Sequence, residues 1–179
     1  PTKEILLPGT HNLENVAAAV TVAKIQHIEN KNIRKILRTF KGLKHRLQLV
    51  RIVKDVSFYN DSFATTPETG IAALNAFTKP KILILGGSSK NSDFKPLASV
   101  LVRDKTLKAI ILVGREAKKI KEEIVAAGGF KNMIEGPKNM AEIVYAASRV
   151  ASAGDIVLLS PSCASFDMFK NYQDRGDQF

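Results

Sequence analysis

The sequence predicts an α/β fold: a Rossmann-like, doubly wound, mostly parallel sheet, preceded by two helices that do not belong to it. Three observations carry that prediction. Ile82 to Leu85, Ala109 to Val113 and Ile156 to Leu159 are short continuous apolar runs, the pattern of strands buried on both faces. Helical patterns separate these runs, which is the alternation of βα units. Gly86-Gly87 and Gly128-Gly129 punctuate the chain where such a strand and such a helix would end.

Taken in order, residues 12–28 carry Val16, Ala17, Val20, Ala23, Ile25 and Ile28 at mixed helical spacing, a helix expected to be buried over much of its surface. Asn32 is expected to cap a second helix, with Ile33, Ile36, Leu37 and Phe40 on one face and Gly42 as its stop. Two helices enclose no core, so residues 1–44 read as the tail of an earlier domain. From His45 the period changes. Leu47, Leu49 and Val50 to Val53, a turn at Lys54-Asp55, and Val56 to Tyr59 predict a hairpin, and a second domain is assigned to residues 45–179. Thr66 followed by Pro67 opens a helix to about Phe77. Further helices are expected at Phe94–Leu101, Ala117–Ala127 and Asn139–Ala151, and a last, truncated one from about Ser165. Because the sequence starts at Pro1 and stops inside that helix, it is expected to be a piece of a longer protein.

The composition, 45% hydrophobic and 25% charged over 179 residues, is that of globular material. A net charge of +10 invites a nucleic-acid reading, but Lys118, Lys119 and Lys121 stand beside Glu122 and Glu123 and are not interleaved with aromatic residues. Solvated helix faces and no nucleic-acid partner are expected. A lone Cys163 excludes an internal disulfide, and three scattered histidines make no zinc pattern, which fits a reducing cytoplasm. No apolar run approaches the ~20 residues of a membrane span.

In an open parallel sheet, ligands bind outside the carboxyl ends of the strands. That rule selects Asn60 to Thr66, Gly86 to Asp93 and Ser160 to Ser165, loops that are polar or small where their flanks are apolar. Neither G-x-x-x-x-G-K-[ST] nor G-x-G-x-x-G nor G-x-S-x-G occurs in them, so no P-loop, dinucleotide fingerprint or nucleophile elbow is present. Each polar residue has a purely structural alternative: Asp61 as an Asx-turn, Thr66 as a helix cap, Lys90 as a solvated lysine, Cys163 as a small buried hydrophobe.

The residues nevertheless form a set. Thr10-His11-Asn12-Leu13-Glu14-Asn15-Val16-Ala17-Ala18-Ala19 resembles the H-N-x-x-N-x-x-A-A signature of the central ATPase domain of Mur ligases, and Gly42-Leu43-Lys44-His45-Arg46 resembles that family's G-x-x-H-R hinge. Asn60 to Thr65, Gly86-Gly87 through Lys90 to Phe94, and Ser160 to Phe169 with Arg175-Gly176 are similar to the D-glutamate-adding branch of the family. The resemblance implies an ATP-dependent ligase that joins D-glutamate to UDP-N-acetylmuramoyl-L-alanine through an acyl phosphate, a cytoplasmic monomer that serves peptidoglycan synthesis. It also implies that the uridine nucleotide domain, the P-loop and the magnesium ligands lie upstream, and hence that these residues alone are inactive.

By the same resemblance, Asn12, Asn15, Arg46 and Asp61 would bind ATP, while Thr65, Lys90, Ser165 and Tyr172 would hold D-glutamate. A guanidinium suits a phosphate oxygen and a carboxylate suits a ribose hydroxyl, so Arg46 and Asp61 divide the nucleotide between them. An ammonium with hydroxyls suits a dicarboxylate. One departure stands out: many relatives carry lysine within N-D-S-K-A-T where this sequence has Phe63. A sibling ligase with another amino acid substrate, and a non-catalytic anion-binding module, stay open as alternatives.

Overall fold

In the computed structural model, which describes residues 4–88 and 91–179, two helices come first, α1 (His11–Ile25) and α2 (Asn30–Thr39). A hairpin of β1 (Gln48–Val53) and β2 (Val56–Asn60) follows, and its turn residues Lys54 and Asp55 both have positive φ, as a two-residue hairpin turn of matching twist requires. The chain then alternates: α3 (Pro67–Asn75), β3 (Lys81–Gly86), α4 (Lys95–Arg103), β4 (Leu107–Val113), α5 (Ala117–Ala126), β5 (Met133–Ile134), α6 (Met140–Val150), β6 (Ile156–Leu159) and α7 (Tyr172–Gln178).

The six strands lie in the order β1-β2-β6-β3-β4-β5, antiparallel only between β1 and β2. Successive residues of each central strand point to opposite faces. Leu83, Leu85, Ile110, Leu112 and Leu158 pack under Leu74, Leu97, Leu101, Ile120 and Ile124 from α3, α4 and α5. Ile82, Ile84, Ile111, Val157 and Leu159 pack under Met140, Ile143 and Ala147 of α6. Two apolar faces on one sheet, each covered by helices, make the doubly wound architecture the strand pattern predicts. The last strand, β6, returns to insert between β2 and β3, so the carboxyl ends of β2, β6 and β3 sit side by side. That is where the chain direction reverses across the sheet, the place where such folds bind ligands.

Several expectations need correcting. The last helix starts at Tyr172: the Ser165 carbonyl accepts from the amides of Met168 and Phe169 for one turn only, and Asn171 then caps α7 by accepting from the Asp174 amide at 2.8 Å. The second helix starts at Asn30 after Glu29, whose carbonyl takes the amides of Asn32 and Ile33, so Asn32 lies inside the helix. In α1 only Asn12 is buried, while Val22 and Ile25 are exposed, because no described element covers that face. The two-residue β5 had no sequence signal. Lys31, Arg34, Lys35 and Arg38 of α2 line one hollow, with Lys31 paired to Glu29 and Arg38 to Glu4. No helix among the described residues is long and apolar enough to cross a membrane.

Candidate functional site

The loops leaving β2, β6 and β3 are tied to one another by hydrogen bonds. Asp61 is 5% exposed at the end of β2. Its Oδ2 accepts from Ser160 Oγ at 2.9 Å, which links the ends of β2 and β6, and its Oδ1 accepts from the Leu47 amide at 3.1 Å, which links both to the hinge segment. The Asx-turn alternative belongs instead to its neighbour: Asn60 Oδ1 accepts from the Ser62 amide at 3.0 Å. On the other side, the Gly86 amide donates to the Pro161 carbonyl and the Ser88 amide to the Ala164 carbonyl, both at 2.9 Å. Gly87 has a φ of +137°, and a Cβ there would collide with the Ala164 carbonyl, so the approach of these two loops requires glycine.

A buried guanidinium holds the assembly from behind. Arg175 of α7 donates from Nε to Ser62 Oγ at 2.8 Å, from Nη2 to the Ser62 carbonyl at 2.8 Å and from Nη1 to the Cys163 carbonyl at 3.0 Å. Burial pulls its pKa down to about 10. Gly176 beside it packs so closely on the His45 ring that a Cβ could not fit. Asn60 Nδ2 donates to the Gly176 carbonyl at 2.8 Å and approaches His45 Nδ1 at 3.1 Å. A carboxamide nitrogen can only donate, so His45 Nδ1 accepts and the ring proton sits on Nε2, 3.6 Å from Asp177. Sequence reasoning marked Arg175-Gly176 as part of a motif but gave Arg175 no role; nothing local to it shows that it spans to residues in two other loops.

The expected nucleotide residues gather at the junction between the helices and the sheet. Asn12, Asn15 and Arg46 line one hollow of about 230 Å³ together with Leu7, Pro8, Phe40, Gly42 and Leu43. Arg46 also borders a second hollow, of about 120 Å³, which it shares with His11, Asp61, Phe63 and Thr69. Within the first, Asn12 Nδ2 donates to the Pro8 carbonyl at 2.7 Å and Asn12 Oδ1 accepts from Asn15 at 3.2 Å, which leaves Asn15 and the exposed Arg46 with donors to spare. Burial, against the Ser160 and Leu47 hydrogen bonds and the Arg46 charge, pushes the Asp61 pKa up to about 6. Its ionised form therefore gains from any further donor that reaches it.

Of the expected amino acid residues, Thr65 is half-buried on the β2 loop, Ser165 is buried on the β6 loop, and Tyr172 opens α7. Lys90 lies outside the described residues. The Tyr172 carbonyl accepts from Ser62 Oγ at 2.8 Å and its ring meets Phe63 edge-on, so the start of α7 is fixed against the β2 loop. Thr66 opens α3 as the cap alternative required, its amide bonded to Thr69 Oγ1 at 3.2 Å. Cys163 is fully buried and its thiol is pushed up to about 12 by burial, which excludes a nucleophilic role at neutral pH. No group of three or more His, Cys, Asp or Glu side chains gathers among the described residues. Two carboxamides, a guanidinium and a buried carboxylate can hold a nucleotide's hydroxyls and phosphates.

Comparison with known proteins bears on this arrangement. The family model described as Mur ligase, glutamate ligase domain, matches residues 45–163. A protein of Pelotomaculum thermopropionicum named UDP-N-acetylmuramoylalanine--D-glutamate ligase is 46% identical over 176 residues, 98% of this chain and 38% of that protein. Its namesake in Bacillus subtilis is 41% identical over 179 residues, 100% of this chain and 39% of that protein. The chain thus spans about two fifths of the length of the curated relatives it matches. Among solved structures, the UDP-N-acetylmuramate-alanine ligase of Thermotoga maritima aligns over 88% of this chain and 36% of its own, with a TM-score of 0.66 at 15% identity. A pseudomurein peptide ligase type C of Methanothermus fervidus aligns over 88% of this chain and 34% of its own, with a TM-score of 0.64 at 19% identity. At such identities the structures speak for the fold. With the family model running from the hinge histidine through β6 and into the loop that Arg175 secures, the chain belongs to the Mur ligase family.

Proposed function

We propose that the complete protein is the ATP-dependent ligase that joins D-glutamate to UDP-N-acetylmuramoyl-L-alanine in peptidoglycan synthesis, working in the cytoplasm as a monomer. The observation that carries this reading is identity of 46% along 98% of the chain to a ligase of that name. In it, residues 1–44 end the central ATP-binding domain and residues 45–179 form the D-glutamate-binding domain, a division supported by the start of the family match at residue 45. Magnesium, held by residues outside this chain, would neutralise phosphate charge.

The chemistry is positioning and charge neutralisation. The carboxylate of the acceptor takes the terminal phosphoryl group of ATP and ADP leaves. The amine of D-glutamate then attacks the acyl carbon, forms the C–N bond, expels phosphate and loses a proton. Arg46, exposed between the two hollows, would offer a fork of N–H donors to phosphate oxygens, Asn12 and Asn15 would face the adenine and ribose, and Asp61 would accept from a ribose hydroxyl. Thr65, Lys90, Ser165 and Tyr172 would receive D-glutamate, the ammonium and hydroxyls pairing with its two carboxylates.

These roles predict a split in kinetics. A hydrogen bond to a charged group is worth roughly 1.5 to 3 kcal/mol, so losing one weakens apparent affinity about tenfold to more than a hundredfold. In the complete protein, Arg46→Ala should raise the KM for ATP in that range and leave D-glutamate nearly untouched, while Lys90→Met and Ser165→Ala should do the reverse. Steady-state kinetics on both substrates, read beside the melting temperature, check this. Equal losses on both substrates, or a lowered melting temperature with unchanged kinetics, would reassign these residues to structure.

A further inference from the structure

Phe63 is a large apolar side chain on the β2 loop that lines the hollow holding Arg46 and Asp61 and also touches Tyr172. Its backbone is fixed: the Phe63 amide donates to the His45 carbonyl at 3.0 Å, and the Ala64 amide beside it to the Asp61 carbonyl at 2.8 Å. The residue is 48% exposed despite that anchoring. On one side it meets Tyr172 edge-on, centroids 5.2 Å apart at 79°, and Tyr172 in turn meets His45 edge-on at 6.1 Å. On the other side it borders the hollow that contains Arg46 and Asp61. One benzyl group therefore touches residues proposed for the nucleotide and a residue proposed for the amino acid. Its neighbours there include the polar side chains of Arg46, Asp61 and Thr69, whereas the ring offers no donor or acceptor.

We propose that Phe63 is a positioning residue that keeps water away from the acyl phosphate, with Tyr172 as its support. The inference rests on the ligase reading and deepens it. An acyl phosphate has two fates. Attack by the amine forms the C–N bond, breaks the bond from the acyl carbon to the phosphate oxygen, releases phosphate and sheds the amine proton. Attack by water breaks the same bond, releases the same phosphate and returns the starting carboxylate. ATP is spent in both, and only the first yields amide. A site that fills the space beside the acyl carbon with a rigid aromatic ring biases the outcome by excluding the competing nucleophile. About half of the Phe63 surface is left uncovered by this chain, and the arriving substrate would complete the enclosure.

The test measures coupling. The complete protein is supplied with ATP, UDP-N-acetylmuramoyl-L-alanine and D-glutamate, and phosphate released is compared with amide formed. The wild-type ratio should stand near one. Phe63→Ala, which opens the space, and Phe63→Gln, which fills it with a group that binds water, should both raise the ratio, and both should release more phosphate when D-glutamate is left out. Phe63→Leu, apolar and bulky, should keep the ratio close to wild type. Packing alone would lower the melting temperature without changing the ratio. A ratio that stays at the wild-type value in both Phe63→Ala and Phe63→Gln overturns the inference while leaving the ligase reading intact; a wild-type protein that makes no amide from D-glutamate overturns both.

Discussion

Arg175→Met is expected to lower stability by about 3 kcal/mol or more. The guanidinium is 2% exposed and serves three acceptors on two loops, one of them 113 positions away in sequence and the other 12. Methionine fills a similar volume but donates nothing, so the carbonyls of Ser62 and Cys163 would be left buried without partners, at a cost of about 1 to 3 kcal/mol each. Removing a buried cation recovers some desolvation free energy, which is why the expected loss stays well below the sum of three charge-assisted bonds. Arg175→Lys should recover little, because a single ammonium on a flexible stem cannot reach three acceptors arranged around a planar fork. Urea unfolding midpoints of the three proteins measure this. A Met variant within about 0.5 kcal/mol of wild type, the range of ordinary surface substitutions, would show that the guanidinium is a passenger.

The second large effect depends on pH and belongs to Asp61. Burial raises its pKa from 3.8 to about 6, against the Ser160 and Leu47 hydrogen bonds and the charge of Arg46, which all favour the ionised form. A carboxyl whose folded pKa lies above its unfolded value contributes stability that is fully present below about pH 4 and is lost as pH rises through about 6. At about 1.4 kcal/mol per pKa unit, the loss is on the order of 3 kcal/mol. Asn at this position stays neutral at every pH, keeps an acceptor for the Leu47 amide and can donate to Ser160 Oγ, whose hydroxyl is free to turn. The stability of Asp61→Asn relative to wild type should therefore improve by about that amount between pH 4 and pH 7.5. Asp61→Ala should instead be destabilised across the range, since it leaves the Leu47 amide unpaired. Chemical denaturation of the three proteins at several pH values decides the matter; a wild-type to Asn difference that does not change with pH would mean that Asp61 is ionised without penalty. The same penalty gives Asp61 a use, because a ligand hydroxyl donating to its carboxylate would offset part of that cost.

Local rules made some of the structure legible before any coordinates. The hairpin followed from alternation and a two-residue turn, and the helix expected from Asn139 is α6, with Asn139 itself as its cap, accepting from the Glu142 amide. The central strands were legible because both faces of β3, β4 and β6 are covered, which leaves uninterrupted apolar runs. What stayed hidden was either too short or too distant. The two residues of β5 carry no period, and their pairing with Ile110 and Ile111 comes from the sheet already built. The start of α7 was misjudged because Ser165 does begin a turn, and only the chain's exit toward Asn171 ends it. The apolar residues of α1 say that the helix can be buried, not that this chain buries it.

The site divides in the same way. That the loops after β2, β3 and β6 would meet was legible, because ligand loops in a parallel sheet share an edge. Their cross-links were not. Ser160 bonds Asp61 across 99 positions of sequence and Arg175 bonds Ser62 across 113, and no spacing rule reaches so far.

The most direct test of the ligase reading is product formation from UDP-N-acetylmuramoyl-L-alanine and ATP by the complete protein, run separately with D-glutamate, L-glutamate and D-alanine, with the 179-residue chain assayed alongside. The account predicts that the complete protein forms the D-glutamyl amide with release of ADP and phosphate, that the other two amino acids yield little or none, and that the chain alone, which contains no P-loop sequence, yields none. Amide formation with another amino acid and not with D-glutamate, or full turnover by these residues alone, would contradict it.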